Sequence, residues 1–144
     1  MRVGLYSEAA RRVVVEARQF IERRGCAPDA EGIRQCRQEL IDEGGEFAAL
    51  TKSGDFYSTS DCRDLLFHVQ EHRFTLPQVE RLLGDTGLEF IGFSIDSSVA
   101  SAYAARYPDD KRQNNLGNWH RFEGDFPETF AAMYIFWVQK TLPS

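Results

Sequence analysis

Leu88-Glu89-Phe90-Ile91-Gly92-Phe93-Ser94-Ile95 is the clearest strand in the chain. Its odd positions Ile91, Phe93 and Ile95 are solidly apolar, while Leu88, Phe90, Gly92 and Ser94 mix apolar and small residues. Asp96-Ser97-Ser98 ends the run, and the residues after it predict a helix over about 98–106 with Val99, Ala102, Tyr103 and Tyr107 inward. Upstream, Thr75-Leu76-Pro77-Gln78 is a capping box with proline in the first turn. It predicts a helix carrying Leu76, Val79, Leu82 and Leu83 that stops at Gly84 or Gly87.

Two more runs read as strands. One is Arg2-Val3-Gly4-Leu5-Tyr6; the other is the β-branched and aromatic stretch Met133-Tyr134-Ile135-Phe136-Trp137-Val138-Gln139-Lys140. Tyr134, Phe136 and Val138 share one face of the latter, Ile135 and Trp137 the other, and both faces are expected to be core in a covered sheet. Helices fill the intervals. Ser7 is the expected N-cap of a helix from Glu8, with Val13, Val14, Ala17, Phe20 and Ile21 on its apolar face and Gly25 at its end. A second helix over about 29–43 carries the stripe Ile33, Cys36, Leu40 and Ile41, and Gly44-Gly45 closes it. Another starts near Ser60, and Leu116, Trp119 and Phe122 mark a short one. Asp125-Phe126-Pro127-Glu128 reads as a further helix-start signal before the last element.

The fold class is therefore α/β, with a three-stranded mixed sheet and about five helices. Residues 108–115 are the longest candidate linker, too short to separate two cores, so residues 1–144 read as a single domain. The strand at 2–6 has nothing before it to pair its far edge, and an open apolar edge strand is an aggregation hazard. The sequence thus calls for either a larger sheet or an oligomer that covers it.

Composition narrows the class. The 144 residues are 42% hydrophobic, enough for one core, and aromatic residues spread along the whole length argue against disorder. No window approaches the ~20 apolar residues of a membrane-spanning helix, and residues 1–6 carry no signal-peptide pattern. A soluble, cytoplasmic protein is the expectation. The net charge is −5, and both halves are acidic, so bulk nucleic-acid binding lacks its driving force. Cys26, Cys36 and Cys62 are an odd number without paired spacing and are expected to be free thiols.

Four segments together resemble the C-terminal half of bacterial class I S-adenosylmethionine-dependent methyltransferases, some of which carry upstream tetratricopeptide repeats. They are Leu5-Tyr6-Ser7-Glu8, the block from Asp64 to Gln78, Leu88 to Phe93, and Met133 to Lys140. The block from Asp64 to Gln78 is the most specific. The resemblance implies part of a doubly wound sheet, in which residues 2–6, 88–95 and 133–140 look like the family's strands 5, 6 and 7, in the spatial order 5-7-6. Strand 7 of that sheet runs antiparallel. The family's cofactor sits on a glycine-rich turn after strand 1 and an acidic residue ending strand 2. This chain has no G-x-G-x-G, so the cofactor-binding half is absent. The implied function is that of a substrate-side segment, inactive alone and without a cofactor of its own, although S-adenosylmethionine is implied for a complete family member. Its implied partner is an upstream methyltransferase half along strand 2–6. The alternative is a non-catalytic interaction module, or homodimer, that pairs through the same edge.

His68-Val69-Gln70-Glu71-His72 is the densest chemical cluster. Either histidine is a candidate general base, with Glu71 orienting a ring, and His68, Gln70, Glu71 and His72 are candidate substrate ligands. The plainer reading is a polar loop at a helix junction. Cys62, His68 and His72 give no complete metal-ligand pattern, because a fourth ligand is missing. Tyr6, at the carboxyl end of its strand, is a candidate for the pocket lining. Trp119 is a candidate pocket cover, against the commoner role of anchoring an insertion to the core.

Overall fold

The computed structural model describes residues 1–48, 50–52, 56–67, 71–131 and 133–143. They form two compact units, Met1–Ala10 with His72–Ser144, and Arg11–Glu71. Each has its own hydrophobic cluster.

The first unit contains a four-stranded mixed sheet. Its strands are β1 (Arg2–Ser7), β2 (Arg73–Phe74), β3 (Leu88–Phe93) and β4 (Met133–Lys140), in the order β2-β1-β4-β3. β4 is antiparallel to both β1 and β3, and β2 is parallel to β1. The mixed α/β class is as expected, with four strands instead of three and six α-helices instead of about five among the described residues. The extra strand is two residues long, too short to show any hydrophobic period. The helix expected before β3 starts and stops as its sequence predicts, although Leu82 is exposed: Thr75 Oγ1 accepts from Gln78 N–H, the Gln78 side chain accepts from Thr75 N–H, and Gly87 ends it at φ +66°.

In chain order the helices are α1 (Arg12–Arg24), α2 (Ala30–Glu43), α3 (Thr59–Phe67), α4 (Leu76–Thr86), α5 (Ser97–Arg106) and α6 (Leu116–Asp125). The capping-box helix just described is α4. Asp125 ends α6, and turns follow it, so the D-x-x-E signal starts no helix.

One face of the sheet is core. Val3, Leu5, Phe90, Phe93, Tyr134, Phe136 and Val138 pack there with residues of α4, α5 and α6. The other face is not covered as expected: Trp137 is 47% exposed and Ile91 is 46% exposed. A β-bulge explains why the alternation in β3 misleads. Phe90 pairs with Val138 and Gly92 with Trp137, so Ile91 is the extra residue. The bulge lets Phe90 and Phe93 both turn inward, with ring centroids 4.9 Å apart, and sends Ile91 out.

The second unit packs Ala17 and Phe20 of α1, Ile33, Cys36 and Leu40 of α2, and Cys62 and Leu66 of α3 around Phe56. Here α1 begins at Arg12, not at Glu8. Ser7 is the last residue of β1, and its hydroxyl accepts from Ala10 N–H at a turn. Asp29 caps α2 through Gly32 N–H. Gly32 itself is required, since a Cβ there would overlap the Ala27 carbonyl. Cys26 and Cys36 are joined in a disulfide, which corrects the expectation of three free thiols; Cys62 is free and buried. The bridge closes a loop of sequence separation 10. Cys26→Ser is expected to lower the stability of this unit by about 2–3 kcal/mol, read by denaturant unfolding without reductant. No change there, against the oxidised wild type, would contradict the bridge's role.

Candidate functional site

The outer edge of β1 is the first feature. Met1 exchanges two hydrogen bonds with Val138: its amino group donates to Val138 O at 2.8 Å, and Val138 N–H donates to Met1 O at 2.9 Å. Antiparallel pairing alternates, so Met1, Val3 and Leu5 aim their backbone groups at β4. Arg2, Gly4 and Tyr6 aim theirs the other way. β2 takes up only the end of that edge, pairing Tyr6 with Arg73 and Ser7 with Phe74, and Glu8 N–H donates to Phe74 O. Among the described residues no strand pairs with Arg2 or Gly4 on that side. The expected open edge is thus covered over its last two residues and open before them.

Of the described site residues predicted from the sequence, Tyr6, His72 and Trp119 belong to the first unit and Glu71 to the second. Tyr6 lies on the less covered sheet face, 36% exposed. His68 and Gln70 fall outside the described residues. Glu71 belongs to the second unit, where Arg11 donates to its Oε1 at 2.5 Å and Arg18 to its Oε2 at 3.2 Å. Arg18 also donates to Leu65 O, which ties the ion pair to α3. This places Glu71 among arginines drawn from α1 and the residue before it, not in an open cleft. His72 is exposed. Trp119 is wholly buried, stacked on Tyr103 at 3.8 Å, and its Nε1–H donates to Gln113 O at 2.8 Å. It anchors the 107–115 segment, so it covers no pocket mouth. Among the described residues no group of three His, Cys, Asp or Glu side chains could hold a metal ion. Burial pushes the Cys62 thiol up, with the nearby Arg37 charge opposing, so it stays protonated.

Sequence reasoning missed a buried polar cluster at the carboxyl end of β1. Ser7 Oγ–H donates to Glu123 Oε1 at 2.6 Å, and Tyr134 O–H donates to the same carboxylate at 2.7–2.8 Å. All three side chains are buried. Burial raises the Glu123 carboxyl above the ordinary range, and the bonds from Ser7 and Tyr134 and the charge of His120 pull it back. The serine is bonded straight to the carboxylate and closed to solvent, so the arrangement is a lock and not a nucleophile with its base. The signal was present: Glu123 continues the spacing Leu116, Trp119, Phe122 onto the buried face of α6.

A cleft of about 560 Å³ lies beside α4 and the start of β3. Leu83, Leu88 and Leu116 line it together with the carboxylates of Glu80, Glu89 and Asp110. Asp110 is already engaged, accepting from Tyr103 O–H at 2.5 Å and from the amides of Asn114 and Asn115. Burial and this bond push the Tyr103 phenol well above its usual range. Within the cleft Asp110 organises the loop that follows α5. No helix of the described residues is long and apolar enough to cross a membrane. No protein-family model matches the chain, and no curated protein matches it either.

Proposed function

We propose that this chain is the substrate-side segment of a methyltransferase-like protein, acting as a strand-accepting module that is inactive until a cofactor-bearing half completes its sheet along β1. The observation that carries this reading is the outer edge of β1, where the backbone groups of Arg2 and Gly4 point away from β4 while β2 occupies only the end of the edge. The strand order supports it too. β4 lies between β1 and β3 and runs antiparallel to both, as the 5-7-6 order of the resemblance requires. β2 shows that this edge takes a parallel neighbour, which is the sense an added strand of a doubly wound sheet would have.

The same edge would serve the second reading, a non-catalytic module that pairs with its own copy; there the added strand runs antiparallel by symmetry. In either case Gly4→Pro removes an outward N–H without touching the ladder to β4. The expected result is an unchanged fold by circular dichroism, with loss of the amide-exchange protection that Arg2 gains when a cofactor-side methyltransferase half is added. Titrating S-adenosylmethionine into the chain alone is expected to give no heat of binding. Micromolar binding by the isolated chain, or exchange at Arg2 and Gly4 that no added half slows, would overturn the proposal.

A further inference from the structure

The less covered face of the sheet is distinct from its edge, because its side chains point out of the sheet plane while the edge groups lie in it. Register places Arg2 beside Trp137, Gly4 beside Ile135 and Tyr6 beside Met133 on this face. The bulge adds Ile91 next to Trp137. Glu89 sits beside Gln139, whose amide donates to its carboxylate at 2.9 Å. The result is an apolar strip along β4, with Trp137 and Ile91 about half exposed, bordered by a cation on the β1 side and a carboxylate on the β3 side. Arg73, paired with Tyr6, extends the basic border.

We propose that this face is a self-complementary interface for a second copy of the chain, closed by ion pairs between Arg2 of each copy and Glu89 of the other. The charge pattern selects the occupant. Arg2 and Glu89 lie one strand to either side of β4, about 5 Å away each. Their levels differ by two β4 residues, Trp137 against Gln139, or about 7 Å along the strand, which the two long side chains can span. A two-fold axis along β4 exchanges the borders, bringing each Arg2 opposite the other copy's Glu89 and laying Ile135 and Trp137 along the axis. Sheets stacked in this way stand about 10 Å apart. Among the described residues no ion pair engages Arg2 within the chain, so its guanidinium is available to the second copy.

Sedimentation equilibrium of the full chain tests this. The expected species is a dimer of twice the 16.5 kDa chain mass. Arg2→Glu and Glu89→Arg should each weaken it about tenfold or more, since every reversal acts at both symmetric contacts. The double variant should restore affinity to within about threefold of wild type, and Trp137→Ser should abolish the dimer. Trp137 lies on β4 and not on the outer edge of β1, so loss of the dimer with Trp137→Ser separates this interface from pairing through that edge. A monomer at every concentration up to about 1 mM overturns the proposal. So does a dimer indifferent to the single reversals, one the double reversal fails to restore, or one that survives Trp137→Ser.

Discussion

Trp119→Ala is expected to lower the stability of the sheet-bearing unit by about 3–5 kcal/mol, the range for deleting a buried aromatic side chain. The reason lies in its neighbours. The indole stacks on Tyr103 at 3.8 Å, with rings 14° from parallel, and meets Phe93, Phe122 and Phe130 edge-on or tilted at 5.3–5.8 Å. Truncation leaves a void at the point where α5, α6 and β3 meet. It also removes the Nε1–H bond to Gln113 O. Gln113 is a non-glycine residue at φ +53°, a conformation that persists only when neighbours hold it. Its side-chain amide donates to Ala100 O at 3.1 Å and its backbone N–H to Asp110 O at 3.0 Å, so three bonds fix that residue and Trp119→Ala breaks one. Urea unfolding followed by circular dichroism gives the loss directly. Trp119→Phe separates the two contributions: it keeps an aromatic ring and should cost about 1–2 kcal/mol, much of it the lost hydrogen bond. A loss below about 1 kcal/mol for the alanine variant would mean that this aromatic cluster is not the core of the unit.

The contrast between α4 and the rest of the chain tells what a sequence can reveal. The start and stop of α4 are local chemistry: Thr75, Gln78 and Gly87 act within four residues of the backbone groups they satisfy, so their pattern is visible in the string. β4 is equally legible, because eight residues give room for alternation. β2 is not, since two residues have no period, and its existence depends on β1, more than sixty residues earlier. Ile91 misled because a bulge shifts the alternation by one, and a bulge is a property of two strands together. Ser7 looked like a helix cap because serine before an acidic residue usually is one; its hydroxyl is instead drawn to Glu123, 116 residues away.

The candidate site divides in the same manner. The edge of the first strand could be read from its apolar residues and position, although the short cover by β2 could not. Tyr6 was placed at the end of that strand, and it lies on the less covered face of the sheet. Glu71 was read with the histidines beside it in sequence, whereas Arg11 and Arg18 reach it across 60 and 53 residues. Charge pairs at such separations leave no local trace, and the disulfide joins Cys26, just past the end of α1, to Cys36 in the middle of α2, a spacing that carries no motif.

Glu123 supports the other large expectation, because its alanine and glutamine variants should diverge. Glu123→Ala leaves the Ser7 and Tyr134 hydroxyls buried without their acceptor and opens a small void. A loss of about 2–4 kcal/mol is expected. Glu123→Gln keeps the shape: its carbonyl accepts one hydroxyl, its amide donates to the other, and no charge is buried. Near neutral pH its stability should match the wild type or exceed it, to within about 1 kcal/mol. The pH dependence follows from the raised carboxyl. A group whose folded pKa lies above its unfolded value stabilises fully below the unfolded value, and that contribution is lost as pH rises through the folded one. Wild-type stability should therefore carry a falling component from about pH 4.5 upward, as burial comes to oppose a charged Glu123. In Glu123→Gln that component disappears, so the difference between the two stability curves must narrow on acidification and widen toward neutrality in favour of glutamine. Urea midpoints across this range give the curves. If the glutamine variant falls as far as alanine near neutral pH, the carboxylate charge itself is what Ser7 and Tyr134 require, and the lock at the end of β1 is an ionic one.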